Sequence, residues 1–133
     1  MRKLTERASK ALIEGKTFSE SNTSVIKGYN FISMLLHGNE IIKLYNCVEG
    51  NLYINFCGYP TGTTKERING FLKCFGLEYG FATIKGDLWF FHRKEKVCKI
   101  DPNHEYNIYY LIDKARRLLE AYKTISEINN TLY

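Results

Sequence analysis

The feature that most constrains the fold of this chain is residues 61–76, a short helix with both ends written into the sequence. Thr63 and Glu66 stand at capping-box spacing, where a hydroxyl and a carboxylate satisfy two orphan amides reciprocally. Gly76 supplies a left-handed residue to close the far end. Ile68, Phe71, Leu72 and Phe75 recur at i, i+3, i+4 and i+7 as one apolar stripe. The segments on either side read as strands, so helix and sheet must share a core. A chain of 133 residues with 44% apolar content can bury such a core as a single domain, residues 1–133, without metal or disulfide staples. Ten Tyr and eight Phe against two Pro favour sheet surfaces, where flat rings pack well.

Leu52, Ile54 and Phe56 alternate with Asn51, Tyr53 and Asn55, the pattern of a half-buried strand. Residues 24–27, 31–36 and 41–45 are further strand segments, and Gly38-Asn39 between two apolar runs predicts a two-residue hairpin. Glu49-Gly50-Asn51 reads as another turn. Residues 81–84 and 88–92 flank a Gly86-Asp87 hairpin that pairs Ile84 with Trp89 and Ala82 with Phe91 on the core side. Residues 97–100 extend the sheet. The polar run 17–23 reads as a loop, preceded by a helix carrying Leu4, Ala8, Ala11 and Leu12 and stopped by Gly15. Asp101-Pro102 is read as opening the longest helix, with Ile108, Leu111, Ile112, Ala115, Leu118, Leu119, Tyr122 and Ile125 on one broad stripe.

The fold class is therefore α+β: an antiparallel sheet of about five to six strands, helices covering one face, and a long C-terminal helix. The expected core takes Ile42, Leu44, Leu52, Ile54, Phe56, Ile68, Leu72, Phe75, Ile84, Trp89, Phe91, Leu111, Ala115 and Leu118. In the first hairpin Phe31 and Leu35 are placed inside, although Ile32, Met34 and Leu36 alternate equally well.

Chemistry is harder to find. There is no G-x-S-x-G, no H-E-x-x-H and no glycine-rich phosphate loop, so no catalytic constellation is organised and no enzyme is expected. Cys47, Cys57, Cys74 and Cys98 are irregularly spaced, and His37, His92 and His104 add no ligand spacing. No metal or cofactor is expected, and the thiols are read as reduced and mostly buried, as in the cytoplasm. No signal-peptide h-region opens the chain, and no apolar run approaches the roughly 20 residues needed to span a bilayer. No membrane association is expected.

Two surfaces stand out. Lys65, Arg67 and Lys73 fall off the apolar stripe of the capped helix, and with Arg93 and Lys94 they form a candidate nucleic-acid site on a chain of net charge +5. A solvated polar face accounts for the same residues. His92, beside Arg93, is either a phosphate contact or a strand end. Gly70, also off the stripe, marks either close partner approach or fraying. In the last helix Tyr106, Tyr110, Lys114 and Arg117 lie at i, i+4, i+8 and i+11, off the core stripe. Tyr and Arg are enriched at binding hot spots, so these four form a candidate partner site; tyrosines packed on a neighbouring element are the structural alternative.

Ser21-Asn22-Thr23-Ser24-Val25, Leu36-His37-Gly38-Asn39-Glu40-Ile41, Gly58-Tyr59-Pro60-Thr61 and Thr63-Thr64-Lys65-Glu66-Arg67-Ile68-Asn69 together resemble a pattern of small tailed-bacteriophage proteins. In that pattern an NTSV-like start leads to an LHGN-x-I hairpin, a strand ending in Gly plus an aromatic, and a T-x-TTK-x-R-[LI]-N helix. The resemblance covers residues 21–72 and implies phage origin; it brings no catalytic residue with it. The long C-terminal helix stands as an addition to that pattern. The function expected is a non-catalytic binding protein that inhibits a host or defence protein or ribonucleoprotein stoichiometrically, in the manner of an anti-CRISPR. The alternative is a nucleic-acid-binding accessory protein of a phage or mobile element.

Overall fold

The computed structural model describes residues 1–45 and 51–132, with side chains to residue 129. Cys47 and the expected turn at Glu49-Gly50 lie outside the described residues. Helix α1 (Lys3–Glu14) is followed by strands β1 (Phe18–Glu20), β2 (Thr23–Lys27), β3 (Phe31–Leu36), β4 (Asn39–Tyr45) and β5 (Leu52–Asn55). Helix α2 (Gly62–Cys74) leads to β6 (Tyr79–Ile84), β7 (Asp87–His92) and β8 (Glu95–Lys99), and then β9 (Glu105–Asn107) runs directly into α3 (Ile108–Leu132). The fold is α+β. Strands β1-β2-β3-β4-β5-β9 form one six-stranded antiparallel sheet, and β6-β7-β8 form a separate three-stranded one.

Residues 17–23, expected as a loop, hold the short edge strand β1, whose Phe18 pairs with Val25. Three residues are too few to show a period. Within the first hairpin Ile32, Met34 and Leu36 are buried, and Phe31 and Leu35 are half-buried on the opposite face. The reason is register: Met34 faces both Val25 and Ile42, the side that the helices cover. A bulge after Met34 makes Ile41 an extra residue of β4, so Ile41 and Ile42 are both buried.

Both two-residue turns sit one residue earlier than expected. His37-Gly38 and Lys85-Gly86 take positive φ at both positions (52° and 81°, 51° and 86°), the type I′ combination that matches strand twist. The second turn pairs Ile84 with Asp87 and Ala82 with Trp89. The inward face of this hairpin is the reverse of the expected one: Phe81, Leu88 and Phe90 are buried, and Ile84, Trp89 and Phe91 are not. Phe81 meets Phe56 edge-on at 5.1 Å and Phe90 at 5.2 Å, which joins the small sheet to the main core.

Helix α2 begins with Thr61 as its N-cap, its hydroxyl accepting from the Thr64 amide at 3.2 Å. The expected Thr63–Glu66 box does not form, because the Glu66 carboxylate is engaged by Thr5 and Arg67. The far end closes as expected, with Gly76 N–H on Lys73 O and Leu77 N–H on Leu72 O, the Schellman pair. Gly70 is buried under α1, where any Cβ would run into the Thr5 methyl; it is a helix-crossing point rather than a partner site or a fraying residue.

Asp101-Pro102 does not open the last helix. The Asp101 carboxylate instead accepts from Asn103 N–H at 2.9 Å in a local turn, β9 follows, and Asn107 caps α3 by accepting from Tyr109 N–H at 3.0 Å. Ile108, Leu111 and Ile112 join the same core cluster as α1 and α2, so all three helices share one interior.

Candidate functional site

Arg67 is a nucleic-acid candidate that the structure removes. It is 1% exposed. Its Nε donates to Thr23 Oγ1 at 3.0 Å, Nη1 to Thr5 Oγ1 at 2.9 Å and to Glu66, and Nη2 to Asn22 Oδ1 at 3.3 Å. The guanidinium thus ties α2 to α1 and β2, and a planar five-donor fork suits that task. Lys65 is half-buried, with Nζ donating to Thr83 Oγ1 at 2.7 Å. Arg67 presents no cation to the surface, whereas Lys65 keeps a half-exposed ammonium bonded to a neutral hydroxyl.

The other candidates of that set converge. Lys73, Arg93 and Lys94 border one groove of about 690 Å³ on the outward face of the three-stranded sheet. Its floor is Gly80 and Ala82, its apolar wall Phe91. Arg93 sits at φ 56° in the β7–β8 turn, and its Nη2 pairs with Glu78 at 2.9 Å. Lys73 and Lys94 are exposed with no ion-pair partner among the described residues. Period-2 alternation puts Trp89 on the same face as Phe91, both half-buried, and Lys96 Nζ lies 4.7 Å from the Trp89 ring centroid. His92 points to the inner side and stacks on Tyr79 at 4.7 Å. Asn69 does not reach outward: its amide donates to Phe81 O and accepts from Phe81 N–H, covering the free edge of β6.

The expected tyrosine–cation stripe on the last helix is broken. Tyr106 belongs to β9, packs half-buried against the core, and its hydroxyl accepts from Asp101 N–H at 2.9 Å. Tyr110 is 68% exposed, Lys114 is exposed, and Arg117 is exposed while pairing with Asp113 at 2.8 Å. The more telling residues on α3 are those expected in the core. Burial stops at Ala115, and Leu118, Leu119, Tyr122, Ile125 and Ile128 are exposed at 37, 49, 69, 55 and 53%. At about 100° per residue, Lys114 falls on the line of this stripe one turn before it, Arg117 borders it on one side, and Lys123 and Arg116 lie beyond Leu119 on the other. Asp113, Glu120 and Glu127 lie opposite. The result is an exposed apolar stripe with basic margins, whose Leu118, Leu119 and Tyr122 face His92, Glu95, Lys96 and Val97 across an open cleft.

The thiols are less buried than expected: Cys74 is exposed, and Cys57 and Cys98 are half-buried. Burial pushes the Cys57 and Cys98 thiols above their ordinary value. On the outward face of the large sheet, Lys43 Nζ lies over Phe31 at 4.3 Å and Tyr45 at 5.2 Å. Its hydrogen bond with Tyr45 raises its pKa, and the lysine itself occupies those rings. Among the described residues no helix is long and apolar enough to cross a membrane.

The chain matches a family profile described as Kyanoviridae Gp96 protein over residues 1–110. It belongs to that family. This makes it a bacteriophage protein, and the match ends within the first turn of α3, so the uncovered stripe lies beyond the matched region. No curated protein and no solved structure matches the chain.

Proposed function

We propose that this phage protein is a non-catalytic binding protein that acts by occupying the surface of a host or defence macromolecule, a stoichiometric inhibitor of the anti-CRISPR kind. The observation that supports this reading is the exposed stripe Leu118, Leu119, Tyr122, Ile125 and Ile128 on α3. Contiguous apolar surface of this sort marks interaction sites, because leaving it in water forgoes about 25 cal/mol per Å². Its basic margins define the partner's chemistry: an apolar groove with an acidic rim, which takes the helix as i, i+3, i+4, i+7 anchors. Tyr110, Lys114 and Arg117 contribute the rim contacts; Tyr106 has no part in it.

The test is affinity capture from host lysate with the wild type and with Leu119→Asp/Tyr122→Asp, alongside light scattering of the isolated protein. The expected outcome is a monomer that retains one partner in stoichiometric amount, lost in the variant while thermal unfolding is unchanged. An isolated protein that is already a dimer, and that the double substitution makes monomeric, would assign the stripe to a second copy and overturn the reading.

A second reading, nucleic-acid binding, is favoured by one observation: Lys73, Arg93 and Lys94 border a single groove. Of the five cations expected for it, Arg67 is buried inside the protein and Lys65 is half-buried, bonded to Thr83 at the surface.

A further inference from the structure

We propose that the outward face of the β6–β8 sheet binds single-stranded nucleic acid by stacking bases on Trp89 and Phe91, with Lys73, Lys94 and Lys96 neutralising its phosphates. The inference deepens the nucleic-acid reading and rests on it. The surface proposed lies on a sheet rather than on α2.

Strand β7 alternates between its two faces. Leu88 and Phe90 point into the core, which leaves Trp89 and Phe91 on the other face. Across the ladder they stand opposite Ala82 and Gly80, two of the smallest residues available. The groove of about 690 Å³ opens beside Phe91, over Gly80 and Ala82, with Glu78 held by Arg93 at its margin, and Trp89 lies next to it on the same face. A sheet face that packed on another element would be filled instead.

The rings are two residues apart on one strand, about 6.8 Å. That is about twice the 3.4 Å rise of a stacked nucleic-acid strand. Each ring therefore meets its own base of a partly extended single strand, and paired bases in a duplex offer no such faces. Stacking of this kind tolerates any base, because every base has a π-face.

The charges are placed for a backbone that runs from the groove across to the Trp89 ring. Lys96 Nζ already lies on the Trp89 ring, the position that an incoming base would take, and a flexible lysine can swing from there to a phosphate. Lys73 and Lys94 flank the far end without ion-pair partners among the described residues. Duplex reading by α2 is closed off, since Arg67 is buried and Asn69 is spent on the β6 edge.

Trp89 is the only tryptophan in the chain, so its fluorescence reports this face alone. The experiment titrates the full-length protein with an oligothymidylate of about 15 nucleotides and with a duplex of the same length, at about 50 and 200 mM salt. The expected result is quenching of Trp89 by the single strand, with preference over the duplex. Trp89→Ala and Phe91→Ala, followed by anisotropy of a labelled oligomer, each weaken binding on the order of 10- to 100-fold, and Trp89→Phe largely restores it. Lys73→Gln/Lys94→Gln lowers the salt slope by about 1.4, at about 0.7 per phosphate contact. This variant carries the test should Trp89→Ala fail to fold. Repeating the titration with oligouridylate separates DNA from RNA as the source of the strand. Duplex binding that matches or exceeds single-strand binding, with no change in Trp89→Ala, overturns the stacking inference and leaves the nucleic-acid reading standing. No binding to either probe at the lower salt overturns both.

Discussion

Gly70→Ala separates two effects of opposite sign, and the structure decides between them. In an exposed helix interior the change stabilises by about 1 kcal/mol, the propensity difference between Gly and Ala. At residue 70 the added Cβ runs into Thr5 Cγ2 and comes within 3.2 Å of Met1 Cγ and 3.3 Å of Met1 Sδ. The methionine can move aside. Thr5 cannot, because its side chain is fully buried and its hydroxyl accepts from Arg67 and donates to Glu66. Overpacking of that kind costs about 1–3 kcal/mol, and helix separation also strains the Arg67 bonds. The net expectation is a loss of about 1–2 kcal/mol, or roughly 3–8 °C in Tm for a domain of this size. Urea and thermal unfolding followed by circular dichroism measure it. Thr5→Ser removes the obstructing methyl and keeps the hydroxyl, so in that background Gly70→Ala should become neutral or stabilising. Should Gly70→Ala stabilise the otherwise unchanged protein, the close crossing of α1 over α2 is refuted.

Arg67→Met should cost about 3 kcal/mol or more in urea unfolding, because it leaves Glu66, Thr5 and Thr23 without their shared donor, yet it should leave the salt dependence of any oligonucleotide binding unchanged. Tyr110→Ala/Arg117→Ala should stay within about 0.5 kcal/mol in stability, as exposed sites and an exposed ion pair allow, while partner affinity measured by calorimetry falls by about 2 kcal/mol or more. Iodoacetamide labelling mapped by mass spectrometry should modify Cys74 before Cys57 and Cys98, which lag until the pH rises further, because burial disfavours their thiolates. The same two raised values add stability that is fully present below the unfolded-state thiol pKa and is lost as pH climbs through the folded-state values; unfolding free energies across that alkaline window check the sign.

The sequence carried the local structure well. Apolar spacing and the closing glycines Gly15 and Gly76 located α1 and α2, and apolar runs and alternation located the strands at β3–β5, β6 and β7. What it could not carry was which side of each alternating strand the rest of the chain would cover. Phe81, Leu88 and Phe90 alternate with Ala82, Trp89 and Phe91 equally well, and only the arrival of Phe56 beside Phe81 decides between them. Arg67 lies about 90° from the apolar stripe of α2, which reads as exposed until Thr5, Asn22 and Thr23 arrive from elsewhere in the chain. Strand β9 escaped notice because three residues show no period and because Asp101-Pro102 mimics a helix start. On α3 the stripe runs unbroken from Ile108 to Ile125, so periodicity marks the apolar face but not where the protein body beneath it ends. That boundary at Ala115 turns a core helix into a candidate interface. It could be read only once the fold was known.

Engagement of a partner by the exposed stripe of α3 is tested by site-specific photocrosslinking in host cells. A photoreactive residue replaces Tyr122 on the stripe or, as the control, Glu120 on the opposite side of the helix. The account predicts one discrete heterologous adduct from position 122, formed in proportion to the protein present, and none from position 120. Equal crosslinking from both positions, or adducts from 122 that contain only a second copy of this chain, would contradict it.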